Sequence, residues 1–364
     1  MTSSLVLLFV MIGQASDPGP KETIETIAGT GQQGFAGDGG PASRAKLDQP
    51  FDVAFDAKGD AYFSDTFNHR IRKIDHETGK ISTVAGSGGP GFTGDGGLAI
   101  EARMNEPYGV VVDRQGNLYF ADRLNRRVRR IDAASGTITT VAGTGEPTYS
   151  GDGGPADRAG LVEPNGVALD PQGKRLYIAD VAGHRIRVVD LETGRIATFA
   201  GTGRGRHEGD GRSAAESSIW GARAVDVGPD GTVFILEREG NTLRAVDPRT
   251  GVIRTVAGTG KKGYGGDGGP PERATFNGPK ELAIDGSGRA FIVDTENHAI
   301  RLIDFGARTI RTLAGDGQVG GVGDGGPANR ARLDRPHGVA IGADGSAWIA
   351  DTNNHRIRRV GNAR

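Results

Sequence analysis

The 364-residue sequence contains no cysteine, which excludes disulfides, thiolate metal sites and thiol catalysis. Neither sign of charge is in excess. With 44 Lys and Arg against 45 Asp and Glu the formal net charge is -1, so no basic field exists to attract nucleic acid or an anionic lipid surface. Long apolar runs are scarce. Leu5 to Ile12 is unbroken but too short to span a bilayer, and no membrane span is expected. The Gly-x-Ser-x-Gly elbow of serine hydrolases is missing. So is a P-loop, because no glycine run ends in Gly-Lys-Ser/Thr.

Glycine, by contrast, is abundant, at 62 residues, more than twice the ordinary usage of roughly 7%. It is also periodic. A Val-Ala-Gly-Thr-Gly phrase followed by a Gly-Asp-Gly-Gly loop recurs with its anchoring glycine at Gly29, Gly86, Gly143, Gly201, Gly258 and Gly315, in steps of 57, 57, 58, 57 and 57 residues. Each unit must then be one supersecondary module packed on its neighbours. One unit reads as four short strands: Gly166 to Asp170, Arg175 to Asp180, Arg185 to Asp190 and Ile196 to Ala200, with turn residues between them. Six such units predict an all-β, six-bladed β-propeller with four antiparallel strands per blade. The last unit stops after its third strand, and a lone fourth-type strand, Glu25 to Ala28, stands at the start. The N-terminal strand is therefore expected to close the last blade.

Residues 22–364 form a single propeller in this reading. Residues 1–15 read as a signal peptide, with small residues Gly13 and Ala15 after the apolar run but no basic residue before it, and 16–21 as a spacer. A secreted or periplasmic monomer is expected. Between fourth and first strands lies a long connection, Gly143 to Pro164 for example. Its Gly-Pro-Ala step predicts a single helical turn, capped by the loop aspartate: Asp38, Asp95, Asp152, Asp210, Asp267 or Asp324. The alternative is a calcium loop, although one carboxylate per loop is few for an ion wanting six to eight oxygens.

The second loop of each blade carries a further motif: Asp65-Thr-Phe-Asn68-His69-Arg70-Ile71, Asp294-Thr-Glu-Asn297-His298 and Asp351-Thr-Asn-Asn354-His355-Arg356-Ile357. With the Tyr-Phe-Ser-Asp type of strand before it, this closely resembles the NHL-repeat family, from Glu22 to Arg364, and its glycine-aspartate loops resemble bacterial secreted members. The resemblance implies the propeller. It leaves activity open, since the family includes protein- and RNA-binding propellers beside a few metal-dependent enzymes.

Within the repeat, the acid ending strand two (Asp65, Asp122, Asp180, Glu237, Asp294, Asp351) and the middle arginine of strand three (Arg72, Arg129, Arg187, Arg244, Arg301, Arg358) keep a fixed register. They predict one structural charge pair per blade. His69, His184, His298 and His355 are equivalent by the repeat, so they lie in separate blades and can share one metal only if they face the axis.

Six-fold repetition fails where the first strands begin, at one mouth of the central channel. There the residues are Phe51, Tyr108, Asn165, Arg223, Lys280 and His337, followed by Asp52, Gly109, Gly166, Ala224, Glu281 and Gly338. Such a ring suits a small-molecule or peptide ligand, or a protein partner; drift of wet channel positions is the plain alternative. No cofactor is expected. An alternative reading places one divalent cation, calcium or zinc, on Asp52, Asn165, Glu281 and His337. A lyase or lactone hydrolase would then use Arg223 or Lys280 to orient an anionic substrate and Tyr108 as acid or base. A purely structural module is the third reading. Trp220, in the aberrant fourth unit, either covers a gap or anchors a partner. Alanine at His337 is expected to leave melting unchanged while weakening whatever binds the mouth.

Overall fold

A computed structural model describes residues 22–361. The segments read as signal peptide and spacer lie outside these. Six four-stranded antiparallel sheets succeed one another along the chain. Blade one comprises Pro50–Phe55, Ala61–Asp65, Arg70–Ile74 and Ile81–Ala85, and blades two to five repeat this plan. Blade six is made by Gly338–Ile341, Ala347–Asp351 and Arg356–Val360 with Ile24–Ala28 as its outer strand, Ile24 facing Val360. The ring is thus closed by the two ends of the chain, as the sequence predicts. Side-chain bonds support the seam: Thr26 donates to Asp324 (2.6 Å) and Arg311 to Glu22 (2.8 Å). Among the described residues no helix is long and apolar enough to cross a membrane.

The hydrophobic core lies between blades. One cluster, for instance, joins Tyr119 and Val128 of blade two to Val167, Leu176 and Ile178 of blade three. Each sheet therefore buries both faces against its neighbours, and the ring has few free edges. Ile24 is fully buried in the cluster between blades five and six. Ile24→Ala should cost about 2–5 kcal/mol in urea unfolding and raise amide exchange along Arg356–Val360; unchanged protection there would contradict the closing role of this strand.

The Asp-Thr-x-Asn-His motif is explained by what it holds. After strand two the chain makes one short turn, 3₁₀ in blades one, two, five and six, and the residue ending it has left-handed backbone: His69, Arg126, His184, Asn241, His298 and His355, with φ between 50° and 53°. Asn and His accept this conformation more readily than most residues. The ring nitrogen Nδ1 of His69, His184, His298 and His355 accepts the backbone N–H of Glu106, Gly221, Arg335 and Gln49 on the following blade, at 3.0–3.2 Å. Asn241 does the same through its side-chain oxygen to Gly278 (2.9 Å). Thr66, Thr295 and Thr352 add hydroxyl bonds to the carbonyls of Pro107, Pro336 and Pro50. The motif is a staple from five of the six blades to the next, blade two having Arg126 instead, and the histidines are spread round the ring. His69→Asn should be close to neutral, because Asn241 serves the same purpose, whereas His69→Leu should cost about 1–3 kcal/mol through an unsatisfied buried N–H. Equal melting of both variants would refute the staple.

The expected acid–arginine pairs are present in five blades. Arg72, Arg129, Arg301, Arg244 and Arg358 are fully buried and lie 3.0, 3.1, 3.2, 3.4 and 3.4 Å from Asp65, Asp122, Asp294, Glu237 and Asp351. Two expectations need correction. First, the loop aspartates cap nothing: none of the 3₁₀ turns that follow them, led by Pro41, Leu98 or Pro155 for example, has a side-chain cap. Asp38, Asp95, Asp152, Asp210, Asp267 and Asp324 instead lie 2.6–2.7 Å from the same six arginines as second acids. Their other oxygen takes the strand-four threonine, as Asp38 does from Thr83 (2.7 Å). Second, Asp180 and Arg187 do not pair directly. In the regular blades the asparagine of the motif bonds the inner acid, as Asn68 bonds Asp65 at 2.9 Å. Blade three has Gly183 there, and a side chain at that position would meet the Asp180 carboxylate at 2.6 Å. Asp180 turns its oxygens to the N–H groups of Val162 and Glu163, and Arg187 bonds Asp152 and the carbonyls of Gly160 and Ser150.

Candidate functional site at the channel mouth

The first strand of every blade lines the channel, so residues at its start meet their counterparts across blade boundaries. Phe51 stacks on Tyr108 of blade two (ring centroids 4.4 Å) and on His337 of blade six (4.1 Å), which seals one side of the mouth with aromatic surface. The other side is polar. Arg223 bonds the side-chain oxygen of Asn165 and lies over the Tyr108 ring, 5.1 Å from its centroid. Lys280 Nζ lies 2.7 Å from His337 Nε2. His337 Nδ1 lies 2.8 Å from the Arg335 carbonyl. A carbonyl can only accept, so Nδ1 carries the hydrogen and Nε2 accepts from the ammonium. Burial, then the charges of Lys280 and Arg223, hold His337 well below the usual histidine range. Burial, then Arg223 and Arg335, push Lys280 down to about 7.

These groups surround a cavity of about 380 Å³ at blades two to six, into which Tyr108, Asn165, Arg223, Lys280 and His337 all face. Arg123 and Arg238, with Glu163 and Glu239, complete its rim. Of the rim cations, Arg123 is held by Glu106 and Glu163, both at 2.7 Å. Arg223 has no such partner: among the described residues its one side-chain bond is to Asn165.

Asp52 and Glu281 lie apart from this cavity. They line a second one of about 240 Å³, farther along the channel, together with Asp226 and apolar residues such as Val53, Val110 and Val225. The oxygens of Asp52 accept the N–H of Val53 and of Val110 on the next blade, both at 2.8 Å. Asp226 repeats this between blades four and five, with Val227 (2.8 Å) and Ile284 (2.7 Å). Glu281 accepts from Leu282 (3.0 Å). Burial pushes Asp52 up to about 7 and Asp226 up to about 6, and raises Glu281 well above the usual range with Asp52 adding repulsion. The four residues of the cation reading therefore line two cavities. Asn165 is engaged by Arg223, and His337 presents its free nitrogen to an ammonium. Among the described residues no three His, Asp or Glu side chains converge as metal ligands.

The ring of six positions is thus brought together, but not as six equal contributors. Phe51 and His337 are buried packing residues as well, so alanine at His337 would leave a hole beside Phe51, and the expectation of unchanged melting is revised. Trp220 remains 44% exposed on the outer loop. Sequence reading missed Arg123, Arg238 and Asp226. Asp226 had a visible signal: the other five blades carry Ala54, Val111, Ala168, Ala283 and Ala340 at its place on the innermost strand.

A family model described as NHL repeat matches residues 161–189 and 333–360, and one described as Teneurin NHL domain matches residues 89–150. The chain is similar to Protein SUPPRESSOR OF QUENCHING 1, chloroplastic, of Arabidopsis thaliana: 30% identical over 294 residues, 78% of this chain and 27% of that protein. It is also similar to NHL repeat-containing protein 2 of Bos taurus, 27% identical over 322 residues, 81% of this chain and 44% of the relative. The chain spans less than half the length of these curated relatives. Among solved structures it resembles an auxiliary nutrient binding protein from Bacteroides thetaiotaomicron VPI-5482, with TM-score 0.67, 18% identity and coverage of 94% of this chain and 76% of that one. At that identity the likeness concerns fold alone.

Proposed function

The chain belongs to the NHL-repeat family, and from that premise we propose that it is a binding propeller, acting outside the cytoplasm, whose channel mouth holds a small molecule or the end of a peptide. The observation that carries this reading is the coincidence of two features at one place. The mouth is where the six-fold repeat gives way to six different side chains, and it is where a cavity brings five of them together. A departure from the repeat that coincides with a cavity is what a ligand site would require. A solved neighbour of the same fold is described as an auxiliary nutrient binding protein, which supports this reading.

The test is a thermal-shift screen of small molecules and short peptides against the wild type and Tyr108→Ala. A ligand of the mouth should raise the melting temperature of the wild type and lose that effect in the variant, since Tyr108 forms the wall between Phe51 and the cations. Ligands that stabilise both proteins equally would place binding on another face and overturn the reading. Elemental mass spectrometry on protein purified without chelator tests the enzyme alternative: about one tightly held divalent ion per chain would favour it. Fractionation of cells expressing the chain with and without residues 1–15 tests the location.

A further inference from the structure

We propose that the mouth cavity is an oxyanion receptor, in which Arg223 binds a carboxylate or phosphate group of the ligand and Lys280 gives a second contact. The inference rests on the binding reading of the mouth and adds the chemistry of what is bound. It comes from a comparison within the molecule. Every buried arginine of the scaffold is supplied with carboxylate: Arg72, Arg129, Arg244, Arg301 and Arg358 with two each, and Arg187 with one. Arg123 on the cavity rim has two. Arg223, only 7% exposed, has none. Asn165 offers it a dipole, and the Tyr108 ring a face.

The acids that act on Arg223, Glu281 and Asp52, line the neighbouring cavity and make no ion pair with it, and a buried guanidinium with no carboxylate in contact is unfavourable by itself. Lys280 compounds the imbalance. It is 6% exposed, and its nearest carboxylate, Glu296, lies 3.8 Å away and bonds Arg335 at 2.7 Å. Two buried cations thus share one cavity whose rim carboxylates, Glu163 and Glu239, lie against other cations, Arg123 at 2.7 Å and Arg238 at 3.6 Å. An oxyanion entering it would meet the planar donor fork of Arg223, which matches carboxylate and phosphate geometry alike. Its organic body would rest on Tyr108 and Val181, which also line the space.

The site also predicts a pH dependence. Lys280 faces His337 and Arg335 from blade six, Arg223 and Arg238 from blade four, and Glu296 of its own blade. Three cations against one carboxylate explain why, after burial, its ammonium loses its proton near pH 7. Burial and then Lys280 hold His337 well below the usual histidine range. Raising the pH from 6 to 8.5 therefore removes the Lys280 charge and leaves that of Arg223.

Benzoate and phenyl phosphate, with benzyl alcohol and benzylamine as neutral and cationic controls, are suitable probes for isothermal titration. Benzoate keeps its charge over this pH range. Saturable one-to-one binding of benzoate, phenyl phosphate or both is expected at pH 6, and which of the two binds tells a carboxylate site from a phosphate site. The bound anion should be weakened about 30-fold or more by Arg223→Gln, as truncation of one partner of a buried charge pair does. Benzoate should weaken several-fold at pH 8.5, a change that Lys280→Met should abolish. Melting curves check that the variants are folded, and Arg223→Lys, which keeps the charge but not the fork, should retain part of the affinity. Failure of both anions to bind overturns the inference, as does binding that Arg223→Gln leaves unchanged. If a neutral or cationic ligand then binds in a Tyr108-dependent way, the binding reading survives without the anion. If nothing does, both fall.

Discussion

Arg129→Ala should destabilise the propeller by about 3–5 kcal/mol, because removal of one partner from a buried ion pair leaves the other charge uncompensated. Arg129 is fully buried between strand three and the long loop, 3.1 Å from Asp122, 2.7 Å from Asp95 and 3.3 Å from the Thr93 carbonyl. Asp122 is equally buried and would keep only neutral donors, the N–H of Asn105 (2.7 Å) and the amide of Asn125 (2.8 Å). The outer acid matters less, since Asp95 is partly exposed and water can replace its partner; Asp95→Asn should cost about 1 kcal/mol. Arg187→Ala provides the internal control. Asp180 is already satisfied by two backbone N–H groups and has no direct bond to Arg187, so this substitution should cost about 1–3 kcal/mol, mostly for the carbonyls of Gly160 and Ser150 left without a donor. Urea unfolding decides the matter. Equal losses at Arg129 and Arg187 would mean that the inner carboxylate is not what the arginine stabilises.

The same contrast shows what can be read from a repetitive sequence. The four strands of a unit were legible because they depend on local alternation repeated six times: Arg175–Asp180 and Arg185–Asp190 are strands from end to end, as read. The first, however, runs Pro164–Leu169 rather than from Gly166 to Asp170, and the fourth begins one residue early, at Arg195. The inner pair was legible too, because Asp65 and Arg72 lie on neighbouring antiparallel strands with a short loop between them. The second acid was not. Asp38 reaches Arg72 across 34 residues of chain, and only the path of the glycine loop decides whether its carboxylate turns to the 3₁₀ turn or to the arginine. The departure at Asp180 was readable only in retrospect, from the loss of one asparagine side chain at Gly183.

The mouth was half legible, and the reason is geometric. Broken symmetry located it, since Phe51, Tyr108, Asn165, Arg223, Lys280 and His337 hold one position in six copies. Alternation along the first strand then separates neighbours: the side chain after each ring residue points farther down the channel, so Asp52 and Glu281 line a different cavity. Which ring members touch depends on side-chain length. Lys280 reaches His337 and Arg223 reaches Asn165, and no pattern in the sequence states either contact.

Replacement of Lys280 by methionine should make the protein more stable at pH 6, by about 2–4 kcal/mol when a pKa difference is converted at roughly 1.4 kcal/mol per unit and reduced for residual solvation. Burial takes Lys280 from an ordinary 10.5 down to about 7 in the fold. Between these values the unfolded chain binds a proton that the folded chain does not, so the contribution of this group to stability rises with pH from about 7 to 10.5. Below pH 7 the folded state carries the buried ammonium at its full cost. The advantage of Lys280→Met should therefore be largest at pH 6 and shrink steadily above pH 7, as thermal or urea unfolding of the two proteins across that range would show. A scaffold lysine would behave in the opposite way, with its loss destabilising at every pH. A gain in stability coupled to a loss of anion affinity is the signature of a residue retained for binding against the interest of the fold. If Lys280→Met instead lowers stability at pH 6, the ammonium is compensated within the protein, and Arg223 alone is left as the anchor for an anion.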